Sequence, residues 1–264
     1  MITNTSIYDE QAISFDKRAG LTLDQCKQIT EAIEAFSRLK QNDILVEIGC
    51  GTGQIGSLLA PIYGHYVGID LSLAMLEQFK NLDTTHNTSL IQADCNQTWP
   101  VADHSASTIF SSRAIHWISV EHVISEVHRI AGKGDSLLLI GRIERTPDSW
   151  ESKLRKQCHR LLKQHQLTPL DGVRHLKILS NEFSKRKAEV LTPFIVNHWN
   201  EKRNPLQSLE NWVNKPGLGG TNPTNRVKQN ILSQLKIWAY EEFGSKLPTE
   251  IERHYVLYGI KLAV

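Results

Sequence analysis

The 264-residue chain predicts an α/β fold in which strands and helices alternate. Three observations carry this. The apolar run Asp43–Val46 leads into Glu47-Ile48-Gly49-Cys50-Gly51-Thr52-Gly53-Gln54 and then an amphipathic stretch, Ile55–Leu59, which reads as strand, tight turn and helix. Two later runs, His65–Asp70 and Ser89–Cys95, place the acids Asp70 and Asp94 at or near their ends. The alternation then continues through Ala106–Ser111 and Glu126–Ile140. A turn of the first kind aims backbone N–H groups and a positive helix end at a ligand, and alternate glycines let the backbone press close to it.

In chain order, residues 1–20 read as a short irregular arm. Leu21–Lys40 carries apolar residues at Leu23, Cys26, Ile29, Ile33 and Phe36, a helical spacing. Thr22 with Gln25 three residues later forms a capping-box pattern at its start. Residues 1–42 are thus expected to form an N-terminal arm and helix, and 43–148 the alternating core. Beyond Arg142 the alternation stops. Ser149–Gln166 and Arg174–Ser184 read as helices of an inserted cap, 149–187. Residues 188–264 supply a strand over Ala188–Trp199, helices at Leu206–Val213 and Arg226–Phe243, and a last strand at Arg253–Leu262. Asn214–Thr224, rich in glycine, proline and asparagine, has the composition of a mobile loop that could gate a site or lie idle at the surface.

Two cofactor classes suit the glycine loop. Gly51-x-Gly53-x-x-Gly56 satisfies the dinucleotide fingerprint. The tighter pattern is E-x-G-x-G-x-G from Glu47, which resembles motif I of the class I S-adenosylmethionine-dependent methyltransferases. The resemblance runs in order over residues 43–142 and includes Glu126-x-x-Arg129 with the turn Ala131–Asp135 where the family usually has a proline turn. It is of the small-molecule, natural-product type with a methyltransferase type 11-like domain. It implies a Rossmann-like, seven-stranded, mostly parallel sheet with an N-terminal helical arm and an inserted helical cap, the last two strands completing the sheet.

The resemblance also implies S-adenosylmethionine as cofactor and S-adenosylhomocysteine as product. Asp70 is expected to take both ribose hydroxyls, Asp94 the adenine amino group, and Glu47 either the methionine end or the orientation of the loop. Gly49, Cys50, Gly51, Thr52, Gly53 and Gln54 form the loop, with Leu71, Ser72, Met75, Cys95 and Ser111 nearby. Tyr8, Phe15 and Arg18 of the arm are candidates to close over the cofactor, Arg18 on the methionine carboxylate.

A sulfonium methyl is already activated, so positioning is the main catalytic demand. For a hydroxyl or amine acceptor a general base helps, and His116, in the loop after the fourth strand, is the candidate. A carboxylate needs no base, only cations or donors, for which Arg113, Arg142, His198 and the basic cap are available. Trp117 and Trp199 are candidate pocket residues. Residues 151–187 hold ten lysines and arginines against three acids, a net of +7 in a chain of net +2, which tilts the expected acceptor towards an acidic small molecule or peptide and the reaction towards O-methylation. The alternatives are N- or C-methylation, RNA methylation, disfavoured by few interleaved aromatics, an NAD(P)-dependent oxidoreductase, and a non-catalytic cofactor-binding protein.

Composition bounds the rest. The length allows one or two domains with a core stable without staples, as monomer or homodimer. No apolar run reaches the roughly 18 to 20 residues that span a bilayer, and Met1–Ser6 lacks a basic region followed by an apolar one, so a cytoplasmic protein without membrane contact is expected. Cys26, Cys50, Cys95 and Cys158 form no C-x-x-C pair. His122 and His128, like His159 and His165, stand six apart, off the spacing of helical ligand pairs, so no metal is expected.

Overall fold

A computed structural model of the protein describes residues 9, 12, 16, 20–37, 42–82, 85, 87–132 and 134–263. Helix α1 (Leu23–Ser37) buries Cys26, Ile29 and Ile33 of the predicted stripe and half-buries Phe36, whereas Leu23, at the first turn, is 60% exposed. Its capping box forms: Thr22 N–H donates to Gln25 Oε1 at 2.8 Å, and Gln25 N–H to Thr22 Oγ1 at 3.3 Å. There follow β1 (Ile44–Ile48), α2 (Gly56–Leu59), β2 (His65–Asp70), α3 (Leu73–Leu82), β3 (Thr88–Gln92), β4 (Thr108–Ser112), a 3₁₀ turn (Ile115–Trp117), α4 (Val120–Ile130) and β5 (Asp135–Arg145).

These strands lie in the order β3-β2-β1-β4-β5, with every one of their pairs parallel. Between β2 and β4, β1 has Leu45, Val46 and Ile48 wholly buried, which is why Ile44–Val46 form a continuous apolar run rather than an alternating one. The chain lays β2 and β3 on one side of β1 and β4 and β5 on the other. In an open parallel sheet, that reversal opens a crevice beyond the carboxyl ends of β1 and β4.

The chain continues through α5 (Trp150–Gln164), α6 (Gly172–Lys185), β6 (Glu189–Val190), β7 (Phe194–Lys202), α7 (Pro205–Val213), α8 (Asn225–Phe243) and β8 (Glu250–Ala263). Strand β8 neighbours β5, pairs antiparallel with β6 and also pairs with β7, giving eight strands where the sequence predicts seven. The extra strand comes from Pro193, which follows β6 and lacks an N–H to continue the ladder, so the expected strand Ala188–Trp199 divides in two.

The chain folds as two compact units, the first Met1–Arg142, Val173–Asn197 and Tyr255–Val264, the second Ile143–Gly172 and His198–His254. Both helices expected in the cap form, but they serve different cores. Leu176, Leu179 and Phe183 of α6 join Ile118, Val123 and Val127 in the first unit. Leu154, Leu161 and Leu162 of α5 join Leu209, Ile231 and Leu232 in the second. The Asn214–Thr224 segment is a packed turn: Leu218 is buried, its N–H donates to the Thr221 carbonyl at 2.9 Å, and the Gly219 carbonyl accepts the Leu170 N–H at 2.8 Å. Among the described residues no helix is long and apolar enough to cross a membrane.

Candidate active site

In the first unit a cavity of about 190 Å³ lies at the carboxyl ends of β1, β2 and β4, where the strand order reverses. The glycine loop forms one wall. As the chain leaves β1, the Gly49 and Cys50 N–H groups both donate to the Ile69 carbonyl, at 2.8 and 3.1 Å, which turns the backbone sharply against β2. Gly51 follows at φ +56°, a left-handed conformation, with no atom within 4 Å of where a Cβ would stand. The loop therefore presents bare backbone to the cavity.

Asp70 ends β2 and fastens this loop to the next. Its Oδ2 accepts the Gly51 N–H at 2.8 Å, and its Oδ1 accepts the Ser72 N–H at 2.9 Å. A carboxylate has about four lone-pair directions, so it can still accept from a ligand. Burial pushes its pKa up; the backbone hydrogen bonds pull the other way. Beyond β3, Asp94 is exposed, and its Oδ1 accepts from the Asn96 N–H and side-chain amide at 2.9 and 3.0 Å.

Glu47 is 2% exposed at the floor of the cavity and accepts a short hydrogen bond from the Tyr66 hydroxyl. Burial raises its pKa to about 8; the Tyr66 bond and the Arg113 charge oppose this, and Asp70 adds to it. Burial also pushes the Cys50 thiol well up and the Cys95 thiol to about 12, so near neutral pH both are protonated and not nucleophilic. Desolvation thus favours the uncharged form of Glu47 and of both thiols in this wall.

The opposite wall follows β4. Ser111 is fully buried and donates to the Ile48 carbonyl at 2.8 Å, locking β4 to β1. Arg113 takes φ +61° as the chain turns out of the strand, its N–H held by the Gly141 carbonyl at 3.0 Å. Such a conformation is costly for a non-glycine residue and is common where a side chain is aimed at a site. Arg113 and Trp117, the latter 47% exposed, both line the cavity.

The cavity brings together Glu47, Gly49, Cys50, Gly51, Thr52, Gln54, Asp70, Leu71, Met75, Asp94 and Cys95 from the sequence reading, besides Arg113 and Trp117. Gly53, Ser72 and Ser111 stand behind the wall. His116 is absent from the lining; its ring lies tilted against Trp117, centroids 5.6 Å apart. Arg142 also lies outside the lining, His198 and Trp199 belong to the second unit, and Tyr8, Phe15 and Arg18 fall outside the described residues.

Three loop residues hold the N-terminal segment. Gln54 brackets the Leu21 backbone, accepting its N–H at 3.2 Å and donating to its carbonyl at 3.3 Å. Thr52 Oγ1 donates to Asp16 Oδ1 at 2.7 Å, and Ser72 Oγ donates to Asp9. Asp9 and Asp16 escape a sequence reading because neither contact leaves a local spacing signal. Asn96, Ser112 and Ile118 also line the cavity and were not predicted; Ser112 is the last residue of β4, Asn96 lies four residues past β3, and Ile118 follows the 3₁₀ turn after β4.

Residues 46–139 match the family model described as a methyltransferase domain. The chain belongs to the class I S-adenosylmethionine-dependent methyltransferases, and it is an enzyme that uses this cofactor. A malonyl-[acyl-carrier protein] O-methyltransferase of Marinomonas sp. is 30% identical over 191 residues, 67% of this chain and 67% of that protein. One of the same name from Legionella pneumophila is 34% identical over 111 residues, 39% of each. Several further relatives of that name are matched over about half their length.

Among solved structures, YcgJ from Bacillus subtilis superposes with a TM-score of 0.56 at 18% identity, over 88% of this chain and 97% of that one. A geranyl diphosphate C-methyltransferase from Streptomyces coelicolor, solved with S-adenosyl-L-homocysteine, gives 0.50 at 11% identity, over 98% and 83%. At these identities the likeness is one of fold. The dinucleotide reading of Gly51-x-Gly53-x-x-Gly56 gives way to the methyltransferase one.

Proposed function

We propose that the enzyme methylates an oxygen of a carboxylate, carried on a short acidic acyl group presented by a small molecule or an acyl-carrier protein. The observation that carries this is the Marinomonas match, whose 191 aligned residues are about twice the span of 46–139 and so extend well beyond the cofactor-binding segment. Relatives of the same name recur at 24–34% identity.

The cavity suits the cofactor on its own chemistry. Gly51 offers bare backbone for close approach. In this reading Asp70 accepts from the ribose hydroxyls with the lone pairs that Gly51 and Ser72 leave it, Asp94 faces the adenine amino group, and Glu47 receives the positively charged methionine end. When bound, S-adenosylmethionine supplies a methyl group already activated on sulfur. The chain then has to hold an acceptor oxygen in line, about 3 to 3.5 Å from that carbon, and keep water out. Arg113 is the cation in the described cavity wall, and a guanidinium there steadies a carboxylate without taking a proton from it. A carboxylate carries no proton to remove, so the position of His116 outside the lining is compatible with turnover.

The test is incubation with S-adenosylmethionine and malonyl-loaded carrier protein or malonyl-CoA, with acetyl-loaded controls. A methyl ester on the malonyl carboxyl, read by mass spectrometry and absent from the acetyl control, supports the reading. Cofactor turnover on an amine or carbon acceptor alone would overturn it.

A further inference from the structure

The second unit contains an arginine cluster remote in sequence from the glycine loop. On α5, Glu151, Arg155 and His159 stand four residues apart in series and so share one face of the helix. The pairing expected on that face is Glu151 with Arg155. The structure does otherwise: Glu151 pairs with Arg145 at 2.9 Å and with Arg253 at 3.1 Å. Arg253 also pairs with Glu201 at 3.0 Å, and Glu201 in turn holds Arg203.

Two carboxylates thus hold three arginines, and no ion pair reaches Arg155 among the described residues. It is partly buried, and burial and then the neighbouring Arg145 charge both make its protonated form less comfortable; Glu151 and Asp171 act on it more weakly. One turn along, His159 Nε2 is buried without a hydrogen-bond partner. Burial and the Arg155 charge lower the His159 pKa to about 4, so the ring is neutral at pH 7. A partly buried guanidinium without a counter-charge and a buried imidazole nitrogen without a partner are both costly, and one oxyanion answers both: an arginine fork matches carboxylate or phosphate, and a neutral imidazole can donate one N–H.

We propose that Arg155, backed by Arg145 and with His159 as a neutral donor, forms an anion-binding site in the second unit that recognises a carboxylate or phosphate group of a ligand. The site does not depend on which atom the enzyme methylates, since an anion can bind there whether or not it receives the methyl group. Glu151 is the device that makes it: by engaging Arg145 and Arg253, it leaves the α5 arginine open.

The test uses the full-length protein and titrates malonate and inorganic phosphate by calorimetry, in a buffer free of both, on wild type, Arg155→Gln and Arg155→Lys. Wild type is expected to bind at least one of the two anions. Arg155→Gln should weaken it tenfold or more, and Arg155→Lys, which keeps the charge but loses the fork, should fall between them. The affinity for S-adenosylmethionine should stay unchanged in both variants, which reports the first unit intact, and hydrogen-exchange protection of the α5 amides equal to wild type establishes that the second unit is folded. Preference for malonate assigns the site to a carboxylate-bearing acceptor, and preference for phosphate to the phosphorylated arm of a carrier. Equal anion binding by wild type and Arg155→Gln, or none by wild type at millimolar concentrations, overturns the proposal. Failure of malonyl methylation with this anion binding intact would sink only the acceptor reading.

Discussion

Glu47→Gln tests whether the cavity floor carries a strained acid. Glu47 is 2% exposed, and burial lifts its pKa from the ordinary 4.5 to about 8 in the folded protein. Between those values the folded state holds a proton that the unfolded chain has lost, so stability falls as pH rises through the window. At about 1.4 kcal/mol per pH unit the full effect is roughly 5 kcal/mol. Between pH 5 and 7.5 about 3 kcal/mol of it is lost. Gln keeps the shape and can still accept from the Tyr66 hydroxyl but does not titrate, so the variant should lack this slope. Two compact units make a single global unfolding transition a poor readout. Hydrogen exchange of the β1 amides, corrected for intrinsic rates, reports the unit that contains Glu47. Wild type should lose about 3 kcal/mol more β1 protection than Glu47→Gln over that range. Parallel curves for the two proteins would refute the reasoning.

Asp70→Ala removes the acceptor of the Gly51 and Ser72 N–H groups together with the proposed ribose contact; at about 1.5 to 3 kcal/mol for each hydrogen bond to a charged group, calorimetry should show S-adenosylmethionine binding weakened by at least about tenfold. Gly53→Val puts a Cβ 2.3 Å from the Phe79 ring at a backbone φ of +80°, and the combined clash and backbone strain should cost roughly 2 to 4 kcal/mol, seen as lost hydrogen-exchange protection of the β1 amides. His116→Ala should leave cofactor affinity and turnover on a carboxylate acceptor within about twofold of wild type, and a loss of the order of a hundredfold in kcat would restore His116 as a base.

The first half of the chain was legible because its signals are local. An apolar run buried on both faces, glycines where φ turns positive, and acids at or just past strand ends each follow from a few consecutive residues, and Glu47, Gly51, Asp70 and Asp94 all line the cavity. What was missed depends on contacts between residues far apart in sequence. Asp16 meets Thr52 across 36 positions and Asp9 meets Ser72 across 63. The stripes that make α5 and α6 amphipathic say that each is buried, not in which core. Pro193 was readable in principle, since a residue without an N–H cannot continue a ladder, but the alternation on either side of it masked the break.

The basic excess of residues 151–187 shows the same limit on a charge count. Lys153 pairs with Glu242 and Lys156 with Asp148, both acids outside the window, while Lys185 and Arg186 share Glu182, which the +7 already subtracts. What distinguishes Arg155 is that it is partly buried as well as unpaired among the described residues, and the missing partner follows from Glu151 being claimed by Arg145 and Arg253, residues 108 positions apart. Net charge over a segment says how many cations there are. Which of them gains most from an anion is settled by burial and by the carboxylates that the fold brings to the others, and among the described residues of this segment that singles out the partly buried Arg155 guanidinium, beside a neutral imidazole.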